Sequence, residues 1–124
     1  LRAIVSIGGW TGSLNFSAVA ASPNLSQTFA KKFACFLEHE WIGRGDIDWE
    51  YPGTGGIECL RGLLEDAANF VSLLHVLRAE LGPDRHLSIA VNAYAAKYSV
   101  SAYAESVNYV GVMTYDLAGS WSAT

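Results

Sequence analysis

Three carboxylates stand two residues apart in the stretch GDIDWEYPG, which runs from Gly45 to Gly53: they are Asp46, Asp48 and Glu50. Successive side chains of a β-strand point to opposite faces, so in a strand these three share one face, with neighbours roughly 6–7 Å apart. Like charges this close raise one another's pKa, and burial raises it further. Carboxylates whose pKa values are pushed apart in this way perform acid–base chemistry.

The same group of carboxylates has two other interpretations. Grouped carboxylates also bind hard divalent cations, and an edge strand can simply expose them to solvent. Simple exposure to solvent is disfavoured, because unpaired charges on a half-buried face are costly and are more often functional. Cation binding and acid–base chemistry both remain open, and the second requires that like charges and burial raise one pKa. In that case we expect Glu50 to be the reactive group, because active sites of parallel α/β folds lie at the carboxyl ends of the strands.

Strand and helix patterns alternate along the chain. Apolar, β-rich runs predict four strands, at 2–8, 45–51, 87–93 and 109–115. Apolar residues at helical spacing predict two amphipathic helices and a short third one, at about 24–40, 70–81 and 99–106. Strands that alternate with helices, and that are apolar almost throughout, indicate a parallel sheet in an α/β fold.

Length and composition limit the classes of function. The chain has 124 residues, of which 51% are hydrophobic, and a net charge of −4. That profile is typical of one well-packed globular domain. We expect no nucleic-acid partner, since there is no basic run, and no membrane span, since no apolar run reaches about 20 residues.

The cysteines and histidines are scattered. Cys35 and Cys59 have no CxxC spacing, and His39, His75 and His86 lie far apart. We therefore expect neither a metal site built from them nor a cofactor. Both ends of the chain run directly into strand-like residues, which predicts a fragment of a larger domain.

Three stretches together resemble family 18 of the glycoside hydrolases, the chitinase family. GDIDWEYPG is similar to the family's DxxDxDxE signature, and SIGGW at 6–10 is similar to its SxGGW strand. MTYDLAGSW at 113–121 resembles its MxYDxxGxW strand end. The three motifs occur in the family's order and cover residues 6 to 121.

The resemblance implies the family's (β/α)8 TIM barrel. Because a full barrel takes about 250 residues, residues 1–124 are expected to form an internal fragment of a single catalytic domain. That fragment holds about four central βα units, resembling strands 3–6. The resemblance also implies an extracellular, secreted protein.

The resemblance gives the carboxylates roles in substrate-assisted hydrolysis of chitin or chito-oligosaccharides. Glu50 is expected to protonate the glycosidic oxygen, and Asp48 to orient the acetamido group of the sugar, whose oxygen is the nucleophile. Asp46 is expected to lie deeper and to share hydrogen bonding with Asp48. Tyr115 is expected to donate a hydrogen bond to the acetamido oxygen.

Four further residues are expected to bind substrate, by the same resemblance: Trp10, Tyr51, Met113 and Asp116. Trp10 is expected to stack on a sugar ring, with packing at the barrel rim as the alternative. Ser6 is expected to support the carboxylates from below.

Two tryptophans are expected to pack rather than bind. Trp49 lies between the carboxylates in sequence and points to the other face, so it is expected to pack beneath the helices. Trp41, at the end of a predicted helix, is expected to lie in the core.

The chain departs from the family signature at the start of the strand. Gly43 stands where the first Asp is expected, and Arg44 and Gly45 replace a glycine and an apolar residue. Loss of the first Asp is expected to alter the protonation of Asp46 and to slow turnover. Three alternatives to a chitinase remain: a non-catalytic chitin-binding lectin of the same fold, an endo-β-N-acetylglucosaminidase of the same family, and a structural or metal-binding α/β domain.

Overall fold

The computed structural model describes residues 3–53, 56–57, 62–93, 100–119 and 122, and strands alternate with helices along these ranges. The strands are β1 (Val5–Gly8), β2 (Arg44–Asp48), β3 (His86–Asn92) and β4 (Tyr109–Met113). The α-helices are α1 (Phe16–Ala21), α2 (Pro23–His39), α3 (Asp66–Leu81) and α4 (Val100–Tyr103). Short 3-10 turns occupy Thr11–Ser13 and Tyr115–Leu117.

The four strands form one parallel sheet in the order β1-β2-β3-β4. Parallel neighbours in sequence order require crossover connections, and helices α2 and α3 supply two of them. All four strands therefore end at the same edge of the sheet, where the carboxylates of β2 are found. The predicted α/β class with a parallel sheet is confirmed.

One face of the sheet is covered by helices and carries the core. Trp49 is almost fully buried there, as predicted, with its ring stacked on Phe16 at 5.6 Å and edge-on to Phe70 at 5.2 Å. Leu73, Leu74 and Leu77 of α3 are completely buried. The apolar stripe of α3 predicted from the sequence is thus the stripe that packs on the sheet.

Gly45 lets α2 pack directly onto β2. The residue is buried, and a Cβ built on it would overlap the ring of Phe33 and press on Leu37. The apolar residue that the family signature leads one to expect at position 45 is therefore replaced by the Phe33 ring, which fills the same space from the helix side.

Trp41 is not in the core, contrary to the prediction. Helix α2 ends at His39, and Trp41 then takes a left-handed backbone conformation with φ 55°. This turn directs its side chain into solvent, where it is 94% exposed.

A partly buried polar cluster ties α3 to the amino-terminal ends of β3 and β4. The Arg78 guanidinium donates to the carbonyl oxygens of Gly82, Arg85 and Ser106 at 2.7–2.9 Å. It also donates to the Asn108 side-chain oxygen at 2.8 Å. One side chain thereby satisfies four acceptors at this end of the sheet.

Candidate active site

The candidate site lies at the carboxyl-terminal edge of the sheet. Asp46 and Asp48 belong to β2, and Glu50 follows two residues after it. The alternation of exposure along β2 places both aspartates on the face away from the helices, with Gly45 and Ile47 buried on the other. Strand β2 thus presents its two carboxylates on the face of the sheet that the helices do not cover, as the spacing in the sequence predicts.

Two serines from the neighbouring strands hold Asp46. Ser6 of β1 donates to Asp46 Oδ2 at 2.7 Å, and Ser88 of β3 donates to Asp46 Oδ1 at 2.6 Å. Both residues stand directly opposite Asp46 in the register of the sheet. The support expected from Ser6 is therefore present. The hydrogen bonds described for Asp46 go to the serines, whereas sharing with Asp48 was expected.

Asp48 has a perturbed carboxyl group. Burial, with the charges of Glu50 and Asp46 as smaller causes, raises its pKa from 3.8 to about 6. Its Oδ1 atom is buried and has no hydrogen-bond partner among the described residues. A buried carboxylate oxygen without a donor is costly, so this atom is available to a donor that arrives with a ligand.

The carboxyl-terminal end of β1 approaches the backbone of Asp48 closely. The Gly9 N–H donates to the Asp48 carbonyl oxygen at 2.8 Å. At Gly8, φ is 122° and a Cβ would overlap the same carbonyl oxygen, so only glycine fits. The two glycines of the SIGGW stretch therefore bring Trp10 next to the carboxylates.

Glu50 lies beyond the end of β2 and is anchored through its backbone. Its N–H donates to the buried Ser13 hydroxyl at 2.8 Å, and the peptide bond that follows, Glu50–Tyr51, is cis. The Glu50 side chain lines a cavity together with Asp48 and Tyr51.

A cavity of about 600 Å³ unites most of the predicted site. Its lining residues are Trp10, Asp48, Glu50, Tyr51, Ala90, Met113 and Tyr115. A second cavity of about 370 Å³ reaches Ser6 and Asp46 and shares Ala90, Met113 and Tyr115 with the first. The volume of the first is within the range of ligand sites. A cavity of about 650 Å³ at the opposite edge, beside Arg44 and His86, contains none of the predicted site residues.

The individual aromatic residues differ in exposure. Trp10 is 48% exposed and Tyr115 82% exposed, as suits side chains that receive a ligand from solvent. Tyr51 is buried and forms part of the cavity wall. Met113 is partly buried on the same wall. The side chain of Asp116 lies outside the part of the chain that the structure describes.

Three site residues escaped the sequence reasoning: Ser13, Ser88 and Asp66. Ser88 could have been found, because its run LSIAV at 87–91 is apolar apart from that serine and its face follows from strand alternation. Ser13 and Asp66 carry no comparable signal, since a serine in a loop and an aspartate at a helix start are ordinary in sequence.

The first departure from the family signature lies outside β2. Gly43 is exposed, precedes β2 and has open space where a side chain would be. Within the described ranges, no group of three or more His, Cys, Asp or Glu side chains is arranged to hold a metal ion. Cys35 is free and exposed, and Cys59 falls outside the described residues.

None of the helices in the described part of the chain is both long and apolar enough to span a membrane.

Comparison with known proteins agrees with this geometry. Over 131 residues the chain is 37% identical to Chitinase A1 of Niallia circulans, covering 98% of this chain and 19% of that protein. The structure of this chain matches that of Chitinase ChiA74 from Bacillus thuringiensis with a TM-score of 0.91 and 35% identity. The match covers 100% of this chain and 21% of ChiA74.

A third match carries a ligand. Catalytic domain 2 of the Ostrinia furnacalis Group II chitinase, as a mutant in complex with penta-N-acetylchitooctaose, (NAG)5, matches with a TM-score of 0.88 and 28% identity. The match covers 98% of this chain and 33% of that one. In all three cases the chain spans a third or less of the relative's length.

The family model for glycosyl hydrolases family 18 matches residues 1–124. The chain belongs to glycosyl hydrolase family 18.

Proposed function

We propose that the protein hydrolyses β-1,4-linked N-acetylglucosamine polymers, chitin and chito-oligosaccharides, with retention of configuration. Glu50 acts as general acid and then as general base, and the acetamido oxygen of the substrate is the nucleophile. The observation that carries the proposal is the state of Asp48. Its carboxyl group has a pKa of about 6, and its buried Oδ1 has no partner among the described residues.

In the first step, the Glu50 carboxyl gives its proton to the glycosidic oxygen while the C1–O bond breaks. The acetamido oxygen of the same sugar forms a bond to C1, which gives a cyclic oxazolinium ion. Support for this role comes from the cavity, which Glu50 lines beside Asp48 and Tyr51.

Asp48 stabilises this intermediate. The acetamido N–H is a donor for the buried Oδ1 atom, and the Asp48 carboxylate offsets the positive charge that develops on the ring. Tyr115 donates from its hydroxyl to the acetamido oxygen and so aligns it with C1. Support for these roles comes from the cavity, which Asp48 and Tyr115 line together.

In the second step, a water molecule attacks C1 and the bond from C1 to the acetamido oxygen breaks. The Glu50 carboxylate takes the proton from the water, which returns the acid to its starting state. Two displacements at C1 retain the anomeric configuration. Asp46 takes no proton in this scheme, because its two oxygens accept the hydroxyls of Ser6 and Ser88.

The other residues at the cavity bind the sugar. Trp10 stacks on a sugar face, because a half-exposed indole at a cavity mouth offers an apolar plane with a polar edge. Tyr51 and Met113 form the wall against which the sugar rests. Asp116 contacts polar groups of the sugar, as the family motif implies.

We further propose that residues 1–124 are part of one catalytic barrel, resembling its third to sixth strands. This is supported by the match of the whole chain to about a fifth of Chitinase A1. We place the protein outside the cell, because a polymeric substrate does not enter one.

The test is cleavage of a fluorogenic chitotrioside by the full-length protein, beside Glu50→Gln and Gly43→Asp. We expect the parent to cleave and Glu50→Gln to lose at least about a hundredfold in kcat, which is the usual range for removal of a general acid. Gly43→Asp restores the first Asp of the family signature: a higher kcat would support the expectation that its loss slows turnover, and an unchanged kcat would contradict it.

Binding distinguishes the alternatives. A parent that binds chitotriose in calorimetry without cleaving it would identify a chitin-binding lectin and overturn the hydrolase. Cleavage of an N-glycan substrate but not of chitotrioside would identify an endo-β-N-acetylglucosaminidase instead.

A further inference from the structure

We propose that Ser13 and Asp66 are positioning residues, which hold the segment Glu50–Gly53 from its two ends and thereby fix where the Glu50 carboxyl meets the substrate. The inference rests on the proposed function of Glu50. It adds two residues from other parts of the fold, neither of which belongs to the sequence motifs.

Ser13 holds the first end of the segment. It is completely buried, and its Oγ accepts the Glu50 N–H at 2.8 Å. The same hydroxyl donates to the Gly9 carbonyl oxygen at 2.7 Å, with the Asp48 carbonyl oxygen at 3.3 Å as its second acceptor. One hydroxyl therefore links the end of β1 to the backbone of the acid itself.

Asp66 holds the other end. It is completely buried at the start of α3, and its Oδ2 accepts the N–H groups of Gly53 at 3.2 Å and Leu63 at 2.8 Å. Its Oδ1 accepts the Ser17 hydroxyl at 2.8 Å. A buried carboxylate is costly unless hydrogen bonds satisfy it, and these three bonds occupy both of its oxygens.

The two anchors meet in one segment. Ser13 and Ser17 are four residues apart, in the stretch that runs from Trp10 through α1. Through Ser13 this stretch is bonded to Glu50, and through Ser17 and Asp66 it is bonded to Gly53. The proposed sugar platform and the proposed acid are therefore fixed to the same piece of backbone.

The expected effect is on turnover rather than affinity. Misplacing a catalytic group by about 1 Å costs on the order of a hundredfold in rate. An acid acts only in the transition state, so its displacement lowers kcat and leaves KM nearly unchanged. A residue that served only the stability of the fold would not produce this division.

The test compares Asp66→Ala, Asp66→Asn and Ser26→Ala in the full-length protein, at temperatures well below each melting transition. Asn keeps an oxygen for the two backbone N–H groups and turns its amide toward the Ser17 hydroxyl. Ser26 is a matched control, because it is a buried serine that donates to the Val19 carbonyl oxygen away from the acid.

We expect Asp66→Ala to lower kcat for the chitotrioside about 10- to 100-fold with KM changed less than about threefold. Asp66→Asn should recover most of that loss, and Ser26→Ala should keep the parent kcat. A kcat of Asp66→Ala equal to that of the parent, with only the melting temperature lowered, overturns the proposal.

Two provisions keep the test decisive. If Asp66→Ala does not fold, Ser13→Ala, which removes a single hydroxyl, takes its place with the same expected division of kcat and KM. If the parent does not cleave, the proposed function fails on its own. Hydrogen exchange at the Glu50 and Gly53 amides then tests the anchors: at least tenfold faster exchange in the alanine variant than in the asparagine variant supports them, and equal exchange overturns them.

Discussion

Ser88 Oγ lies 2.6 Å from Asp46 Oδ1, and the two residues are also direct partners in the parallel register of β2 and β3. On the other side of β2, Ser6 is the register partner of Asp46 and binds its second oxygen at 2.7 Å. One row of the sheet thus holds a carboxylate between two hydroxyls. A slip of either neighbouring strand by one residue would turn its serine to the other face and break the row.

The two serines should contribute unequally to stability. In the 124-residue chain, Ser88 is completely buried, whereas Ser6 is exposed on β1, the first strand of the sheet. Ser88→Ala should lower the free energy of unfolding by about 1–3 kcal/mol, because it leaves a carboxylate oxygen without its donor. Ser6→Ala should cost less than about 0.5 kcal/mol, because water replaces the hydroxyl. Urea denaturation of both variants of the 124-residue chain measures the difference, and equal costs would contradict it.

Asp48 should make stability depend on pH in the direction opposite to most aspartates. Its pKa is raised from 3.8 to about 6 in the folded state. The folded state is therefore favoured by protonation, and this contribution is complete below pH 3.8 and is lost as pH rises through about 6. Asp48→Asn resembles the protonated form, so this variant keeps that contribution to stability as pH rises.

We expect the stability of Asp48→Asn relative to the parent to rise between pH 4 and pH 7.5. The increase should be on the order of 1 kcal/mol, after allowance for solvent screening of a half-buried group. Thermal unfolding of both proteins at the two pH values measures it. A difference that is the same at both pH values would show that burial does not perturb this carboxyl.

Gly45 and Phe33 should be coupled in a double-mutant cycle. Gly45→Ala places a methyl group against the Phe33 ring and should cost about 1–3 kcal/mol of stability. Phe33→Leu replaces the aromatic ring with a smaller side chain and so makes room for the methyl group. The double variant should therefore cost less than the sum of the two single changes. Additive costs would mean that α2 shifts as a whole instead.

Replacement of Trp41 by glycine should stabilise the protein. A left-handed conformation costs a non-glycine residue about 1–2 kcal/mol, and the 94% exposed indole contributes almost no packing. We expect Trp41→Gly to raise the free energy of unfolding by up to about 1 kcal/mol. The matched control is Leu64→Gly, at an equally exposed residue without positive φ, which should lower it.

The sequence predicted the strands and long helices well, because their signals are strong and local. Apolar runs marked the four strands to within a few residues, and spacing of the carboxylates along β2 predicted their common face. Trp49 was correctly assigned to the helix side by the same alternation. These features depend only on the alternation of residues in strands and on the spacing of apolar residues in helices, and both can be read directly from the sequence.

Features set by contacts between distant segments were missed. Helix α1 is six residues long and has no polar face to define its period. The end of the predicted helix places Trp41 in the core, but the backbone turns there and exposes it. The hydrogen bonds of Asp66, from the Gly53 and Leu63 amides and the Ser17 hydroxyl, form only once these segments have folded together.

The Arg78 cluster lies at the end of the sheet opposite the carboxylates. The Arg78 guanidinium joins the segments that precede β3 and β4, where it donates to three carbonyl oxygens and to the Asn108 side-chain oxygen. The edge that anchors the fold is therefore physically separate from the edge that carries the chemistry. Loops at the carboxyl edge can accumulate substitutions, and so acquire new specificities, without loosening the anchored edge on which they stand.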